Sequence, residues 1–310
     1  MSFTDRLLVL FGKNVTRDAR GLDARLHFFG SIPVDDGSPF LPQMPCANEH
    51  TLPGDAKMLR PKVVALVSIN GGVGRSTLTT ALSSGLQRHG ESVLALDLDP
   101  QNALRHHFGV SAGVSGVGRT SLRNAQWAPI QQPGFAGCQV ITFGDTDSQQ
   151  RDNLQRWLKR EPDWLAQHLS ALNLSERHTV IIDTPAGNNV YSQQALNVAD
   201  VVLIVAQADA ASLGTLDQVD GMLAPYLERE YPPRVHFLIN QVDDSKAFNL
   251  DMVEAFQQRL GQAPLEVHRD MAISEALAFG TDPLDNRVTS MAMDDINDLC
   301  RLLKAPKKTA

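Results

Sequence analysis

Asn70-Gly71-Gly72-Val73-Gly74-Arg75-Ser76-Thr77 follows directly on the apolar run Val63-Val64-Ala65-Leu66-Val67, and no other stretch restricts the fold as much. The β-branched run reads as a buried strand, and Leu78, Ala81, Leu82 and Leu86 recur at helical spacing beyond the loop. A strand, a glycine-rich turn and a helix in that order make an anion cradle. The glycines accept positive φ and let backbone approach a phosphate, and the first N–H groups of the helix are unpaired. The strict pattern G-x-x-x-x-G-K-[ST] is not met, because Ile69 stands at its first Gly and Arg75 at its Lys. A variant, K-G-G-x-G-K-[ST], fits better, with Asn70 in place of the first Lys and Arg75 in place of the second. On this reading Gly71, Gly72, Val73, Gly74, Arg75, Ser76 and Thr77 bind a nucleotide's phosphates, and the Ser76 hydroxyl touches Mg²⁺.

From residue 62 onward short β-branched runs alternate with longer helical stretches, the pattern of an α/β domain: an open, mostly parallel sheet with helices on both faces. Strands are expected near 63–68, 92–97, 139–143, 179–183, 201–206, 234–239 and 265–267. Ligands of such sheets bind outside the carboxyl ends of the strands. The loop, Asp97, Asp99, Asp183 and Asn240 all fall at those ends. Residues 110–136, rich in Gly, Ser and Gln and lacking periodicity, read as a mobile surface segment. His106 and His107 invite a metal, but no carboxylate or Cys lies at zinc spacing, so a partly exposed helix is the better reading.

With these residues in place the chain resembles the MinD/ParA family of deviant Walker-A ATPases, a branch of the P-loop NTPases. Asp97-Leu98-Asp99-Pro100-Gln101 is similar to that family's first switch, and Asp183-Thr184-Pro185-Ala186-Gly187 to its Walker B and second switch. Ala199 to Val205 and Leu238-Ile239-Asn240 complete the order. Within the family the chain resembles most the BcsQ accessory ATPases of bacterial cellulose secretion. The altered loop carries that likeness, together with His268-Arg269-Asp270-Met271-Ala272-Ile273-Ser274-Glu275-Ala276-Leu277, where most relatives have Ile-Pro before the Arg and Asp.

The resemblance implies ATP and Mg²⁺ as cofactors. Arg75 would contact the β/γ-phosphates and Asp99 would orient the attacking water. Ser76 and Asp183 would hold the metal, with Asp97 behind them or serving only as a turn cap. Asn240 would read adenine, with His268 and Asp270 on the same side. It further implies an ATP-dependent homodimer in the cytoplasm, held at the inner membrane by other cellulose-secretion subunits. In relatives the loop's first Lys reaches the partner's phosphates; Asn70 is too short and uncharged to do so, which points to weak hydrolysis. The alternative is a ParA- or MinD-like ATPase that partitions DNA or places a division or flagellar apparatus.

Composition weighs against a dominant nucleic-acid surface, since the net charge is −7 over 310 residues. Cys46, Cys138 and Cys300 are far apart and odd in number, indicating neither a disulfide framework nor a zinc site. Residues 1–29 are expected to form a short segment whose apolar run, Leu7 to Phe11, is too brief for a membrane span and lacks a signal-peptide cleavage pattern. Pro33, Pro39, Pro42, Pro45, Pro53 and Pro61 mark residues 30–61 as a Pro-rich linker to the nucleotide-binding domain, 62–310. Near the end, Ile296, Leu299, Cys300, Leu302 and Leu303 form a modest apolar face before Lys304, Lys307 and Lys308, and core packing explains it better than a membrane helix.

Overall fold

Apolar runs that end on a polar side chain build the sheet. The computed structural model describes residues 60–285 and 290–304, all within the unit Leu59–Ala310. The chain runs β1 (Lys62–Val67), α1 (Arg75–Arg88), β2 (Ser92–Asp97), α2 (Ala103–His107), α3 (Val117–Leu122), β3 (Gln132–Pro133), β4 (Gln139–Ile141) and α4 (Ser148–Leu158). It continues through α5 (Trp164–Ala171), β5 (His178–Asp183), α6 (Val190–Val198), β6 (Val201–Gln207), α7 (Ala210–Leu213), α8 (Leu216–Leu227) and β7 (Arg234–Val242). α9 (Ala247–Leu260), β8 (Leu265–His268), α10 (Met271–Ala278) and α11 (Met291–Lys304) complete it. Expectations for residues 1–59, including the first segment, nearly all of the linker and Cys46, lie outside the described residues, as do Lys307 and Lys308.

The strand order is β3-β4-β2-β5-β1-β6-β7-β8, with every pair parallel except β3 and β4. Each of the seven expected strands is present; the short edge strand β3 was not expected. β1 stands between β5 and β6, which puts the loop after it at the middle of the sheet's carboxyl edge. Successive residues of each strand face opposite ways. Val64 and Leu66 pack with Leu78, Leu82 and Leu86 of α1 and with Ile296, Leu299 and Leu303 of α11. Val63, Ala65 and Val67 pack with Leu154, Trp164 and Leu196 on the other face. Both faces being covered explains why the strands are apolar throughout rather than alternating.

The apolar face of α11 is indeed core: Ile296, Leu299, Cys300 and Leu303 are each at most 3% exposed. No described helix is long and apolar enough to cross a membrane. Cys138 and Cys300 are buried free thiols. His106 is exposed and His107 half-buried on α2, as expected.

Residues 110–136 correct the expectation of a mobile segment. Val117, Trp127 and Ile130 join the core, and the Trp127 indole N–H donates to Ser121 Oγ at 3.2 Å. Trp127 stacks on His168 with ring centroids 4.3 Å apart and meets Trp164 edge-on. One large side chain anchors a polar stretch in which periodicity has nothing to act on.

Candidate functional site

The loop between β1 and α1 turns through two glycines that no other residue would replace without strain, Gly72 at φ 74° and Gly74 at φ 93°. Gly74 is also the N-cap of α1 and makes no side-chain capping bond, so the first N–H groups of the helix are left to the loop's concave side. Two carboxamides hold the loop's carbonyls from the other side: Asn240 Nδ2 donates to Val73 O at 2.8 Å and Gln207 Nε2 to Gly72 O at 3.3 Å. Gln207 and Asn240 are register partners at the ends of β6 and β7. Next to Asn240 the β7–β8 ladder is irregular, with Gln241 at φ 60°, so the strand bends as it reaches the loop.

Arg75 is the first residue of α1 and its side chain is buried. Nε donates to Thr184 O at 2.8 Å, and Nη1 donates to Asn70 O at 3.0 Å and to Ser68 Oγ. Ser68 Oγ itself donates to Asn70 O at 2.6 Å, while Ser68 O accepts from Gly187 N at 2.8 Å. Thr184 Oγ1 donates to Leu66 O at 2.7 Å. Burial lowers the pKa of Arg75, opposed by Asp183 and Asp99.

Register explains the acidic cluster beside it. Asp97 and Asp183 are direct partners at the ends of β2 and β5, so two fully buried carboxyls lie side by side. Ser76 Oγ donates to Asp183 Oδ2 at 2.5 Å, and Asp183 Oδ1 is buried with no hydrogen-bond partner. Burial pushes the Asp183 carboxyl up to about 7 in spite of the Ser76 hydroxyl and the Arg75 guanidinium, and Asp99 adds to the rise. Burial, then Asp183, raises Asp97 well above the carboxylate range, although it accepts from Asp99 N at 2.9 Å and Leu104 N at 3.1 Å. Asp97 thus closes the turn that carries Asp99, which accepts from Gln101 N at 2.8 Å and is 6% exposed.

A hard-oxygen pair, one hydroxyl and one orphaned carboxylate oxygen, suits Mg²⁺, which keeps several waters and borrows phosphate oxygens. Among the described residues no group of three His, Cys, Asp or Glu side chains is arranged to hold a metal by itself. The donor set therefore fits an ion delivered with a polyphosphate.

Thr77, Asn240, His268 and Asp270 line a cavity of about 230 Å³ that opens beside the start of α1. Asn240 gives one amide N–H to the loop and still lines this cavity. Asp270 caps α10, accepting from Ala272 N at 2.8 Å, and accepts from Ser290 Oγ at 2.5 Å. His268 Nδ1 lies 2.8 Å from Asp295 Oδ2 and Nε2 lies 3.3 Å from Asp244 Oδ2. Burial acts to lower its pKa, but the two carboxylates outweigh it and the net shift is upward. The residues singled out from the sequence thus fall into two groups, named for what the sequence leads one to expect of them: a phosphate end around residues 71–77 and a base end around the cavity. Ser68, Thr184 and Gln207 had not been singled out. Each left a signal: Ser68 and Gln207 as the polar residues ending apolar strands, and Thr184 as a member of the segment Asp183-Thr184-Pro185-Ala186-Gly187.

The family model described as cellulose biosynthesis protein BcsQ matches residues 61–302. The cellulose biosynthesis protein BcsQ of Salmonella typhi is 29% identical over 256 residues, covering 80% of this chain and 97% of that relative. The plasmid partition protein of Borrelia burgdorferi B31, solved bound to AMPPNP, superposes with a TM-score of 0.66 at 18% identity over 79% of this chain and all of that one. The septum site-determining protein MinD of Pyrococcus horikoshii OT3, complexed with Mg-ADP, gives 0.65 at 20% identity over 79% and 96%. These two likenesses show the fold.

Proposed function

The chain belongs to the BcsQ family of cellulose biosynthesis proteins, and from that premise we propose that it is an ATP-binding, ATP-dimerising accessory protein of the bacterial cellulose secretion machinery, with weak hydrolysis. The observation that carries the reading is the meeting of an uncapped helix start, two left-handed glycines and the Ser76–Asp183 pair at one point of the sheet's carboxyl edge. The match to the BcsQ family model over residues 61–302 and an acidic net charge favour it over a DNA-partition role.

Bound Mg-ATP supplies the phosphoryl group and a divalent charge to neutralise it. The chain's own part is positioning. Backbone N–H groups from Gly71 to Thr77 bind the phosphates. Ser76 and Asp183 hold the metal and Asp99 orients a water. Asn240, His268 and Asp270 bound the space for the base. Residue 70 is Asn and brings no cationic side chain of its own, and a missing cationic contribution of this kind costs about 3 kcal/mol, roughly a hundredfold in rate. The protein then works as an ATP-stabilised platform for other subunits at the inner membrane.

The test is the full-length protein with ATP and Mg²⁺, followed by titration calorimetry, light scattering and phosphate release on one preparation. Binding, a doubling of mass with ATP and slow phosphate release are expected. Absence of binding at millimolar nucleotide, or a mass unchanged by ATP, would remove the proposal. Asn70→Lys is expected to raise phosphate release by about tenfold.

A further inference from the structure

Arg75 uses two corners of its guanidinium on the protein and leaves the third. Nε and Nη1 donate to Thr184 O, Asn70 O and Ser68 Oγ. Among the described residues no hydrogen bond involves Nη2, and Nη2 is not among the buried polar atoms without a partner, so it keeps contact with solvent. The residue as a whole is only 8% exposed. The carbonyls it holds belong to different parts of the chain: Asn70 to the phosphate loop, and Thr184 to the segment after β5. A second link runs parallel to the first, because Ser68, which receives Nη1, also accepts from Gly187 N. An ammonium is a single point of donors and cannot span these positions, whereas a guanidinium presents five N–H groups in a fixed plane.

We propose that Arg75 is a positioning residue that couples the phosphate loop to residues 184–187: its Nε and Nη1 edge ties the two segments together, and its Nη2 corner takes an oxygen of the nucleotide's polyphosphate. The second half rests on the ATP-binding reading above; the first does not. An anion held at Nη2 fixes the plane of the guanidinium and with it the distance between Asn70 and Thr184. Phosphate occupancy is thereby reported to the segment that ends at the N-cap of α6, where Asn189 accepts from Tyr191 N and Ser192 N. Arg75 is thus more than a bulky substitute for lysine.

The test is hydrogen exchange of full-length protein over peptides spanning 184–192, without and with Mg-ATP, together with ATP affinity by calorimetry. Wild type, Arg75→Lys, Arg75→Met and Ser68→Ala are compared, each first shown to be folded by near-ultraviolet circular dichroism. Without nucleotide, Arg75→Lys should exchange about tenfold faster than wild type in this segment, the loss of a charge-assisted tie, and Ser68→Ala about threefold faster. With nucleotide, wild type should gain protection at 184–192. At saturating nucleotide Arg75→Lys should gain little protection, and Arg75→Met should bind ATP about tenfold more weakly than wild type. Unchanged exchange in ligand-free Arg75→Lys and Ser68→Ala would overturn the tie. Protection by ATP in Arg75→Lys equal to that in wild type would overturn the coupling. If wild type does not bind ATP at all, the ligand-free comparison still decides the tie while the anion contact is refuted with the ATP-binding reading. If both Arg75 variants fail to fold, Ser68→Ala decides the tie by the same exchange rate.

Discussion

The phosphate end and the base end lie on one edge of one sheet and are built on opposite terms. At the phosphate end Asp97 and Asp183 are fully buried, raised in pKa, and in the case of Asp183 short of a partner. At the base end His268 is satisfied within the protein by two carboxylates and Asp270 by a helix start and a serine. The first end is electrostatically incomplete, and an ion with phosphates would complete it. The second is formed beforehand. A ligand would therefore gain its energy at one end and its orientation at the other.

The sharpest way to break this contrast is at the glycine where the two ends touch. A Cβ on Gly74 would lie 2.2 Å from Asn240 Nδ2, at a φ that a β-branched residue rarely adopts. Gly74→Val should abolish nucleotide binding and lower stability by about 3 kcal/mol, while Gly261→Ala, equally left-handed at φ 71° but with nothing near its Cβ, should lose only about 1 kcal/mol by thermal melting. Equal losses at the two glycines would show that the contact with Asn240 is irrelevant.

Asp183→Asn comes next. Removing an incompletely paired buried carboxylate should leave the nucleotide-free protein at least as stable as wild type, while Mg²⁺-dependent ATP affinity falls at least about tenfold. Melting and calorimetry with and without Mg²⁺ check both halves, and a loss of ligand-free stability would make the phosphate end as self-sufficient as the base end. Asn240→Ala, which deletes the bond to Val73 O, should weaken ATP by about fivefold and stability by about 1 kcal/mol. The smallest effect is at His268. Its folded pKa is raised above 6.5, so the stability it adds is present below that value and is lost as pH rises through the raised one. The gap in melting temperature between wild type and His268→Gln should be about 1–2 °C at pH 6 and vanish by pH 9. A gap that widened with pH would mean that the carboxylates do not hold the charged ring.

Strands and their ends were legible in the sequence because a parallel sheet buried on both faces leaves continuous apolar runs that stop at polar residues. The phosphate loop was legible for the same reason that it is constrained, its glycines. Trp127 was hidden, since a single anchor in a polar stretch has no period. The ties of Arg75 to Thr184, Gln207 to Gly72 and Asn240 to Val73 were hidden as well. They depend on which strands stand side by side and on where the strand ends fall in register, and neither follows from spacing along the chain.

The central place of β1 has a consequence in time. Its neighbours β5 and β6 are made long after it, and the contacts that complete the loop are sequence-distant: Ser76 to Asp183 spans 107 residues, Arg75 to Thr184 spans 109, and Asn240 to Val73 spans 167. During synthesis the glycine loop emerges early, gains its first distant contacts only with the end of β5 and its last, to Asn240, only with β7, and long-range parallel pairing of this kind folds slowly. The completed loop is thus among the last features the nascent chain acquires, and a ligand that needs it would bind only a domain that has finished folding.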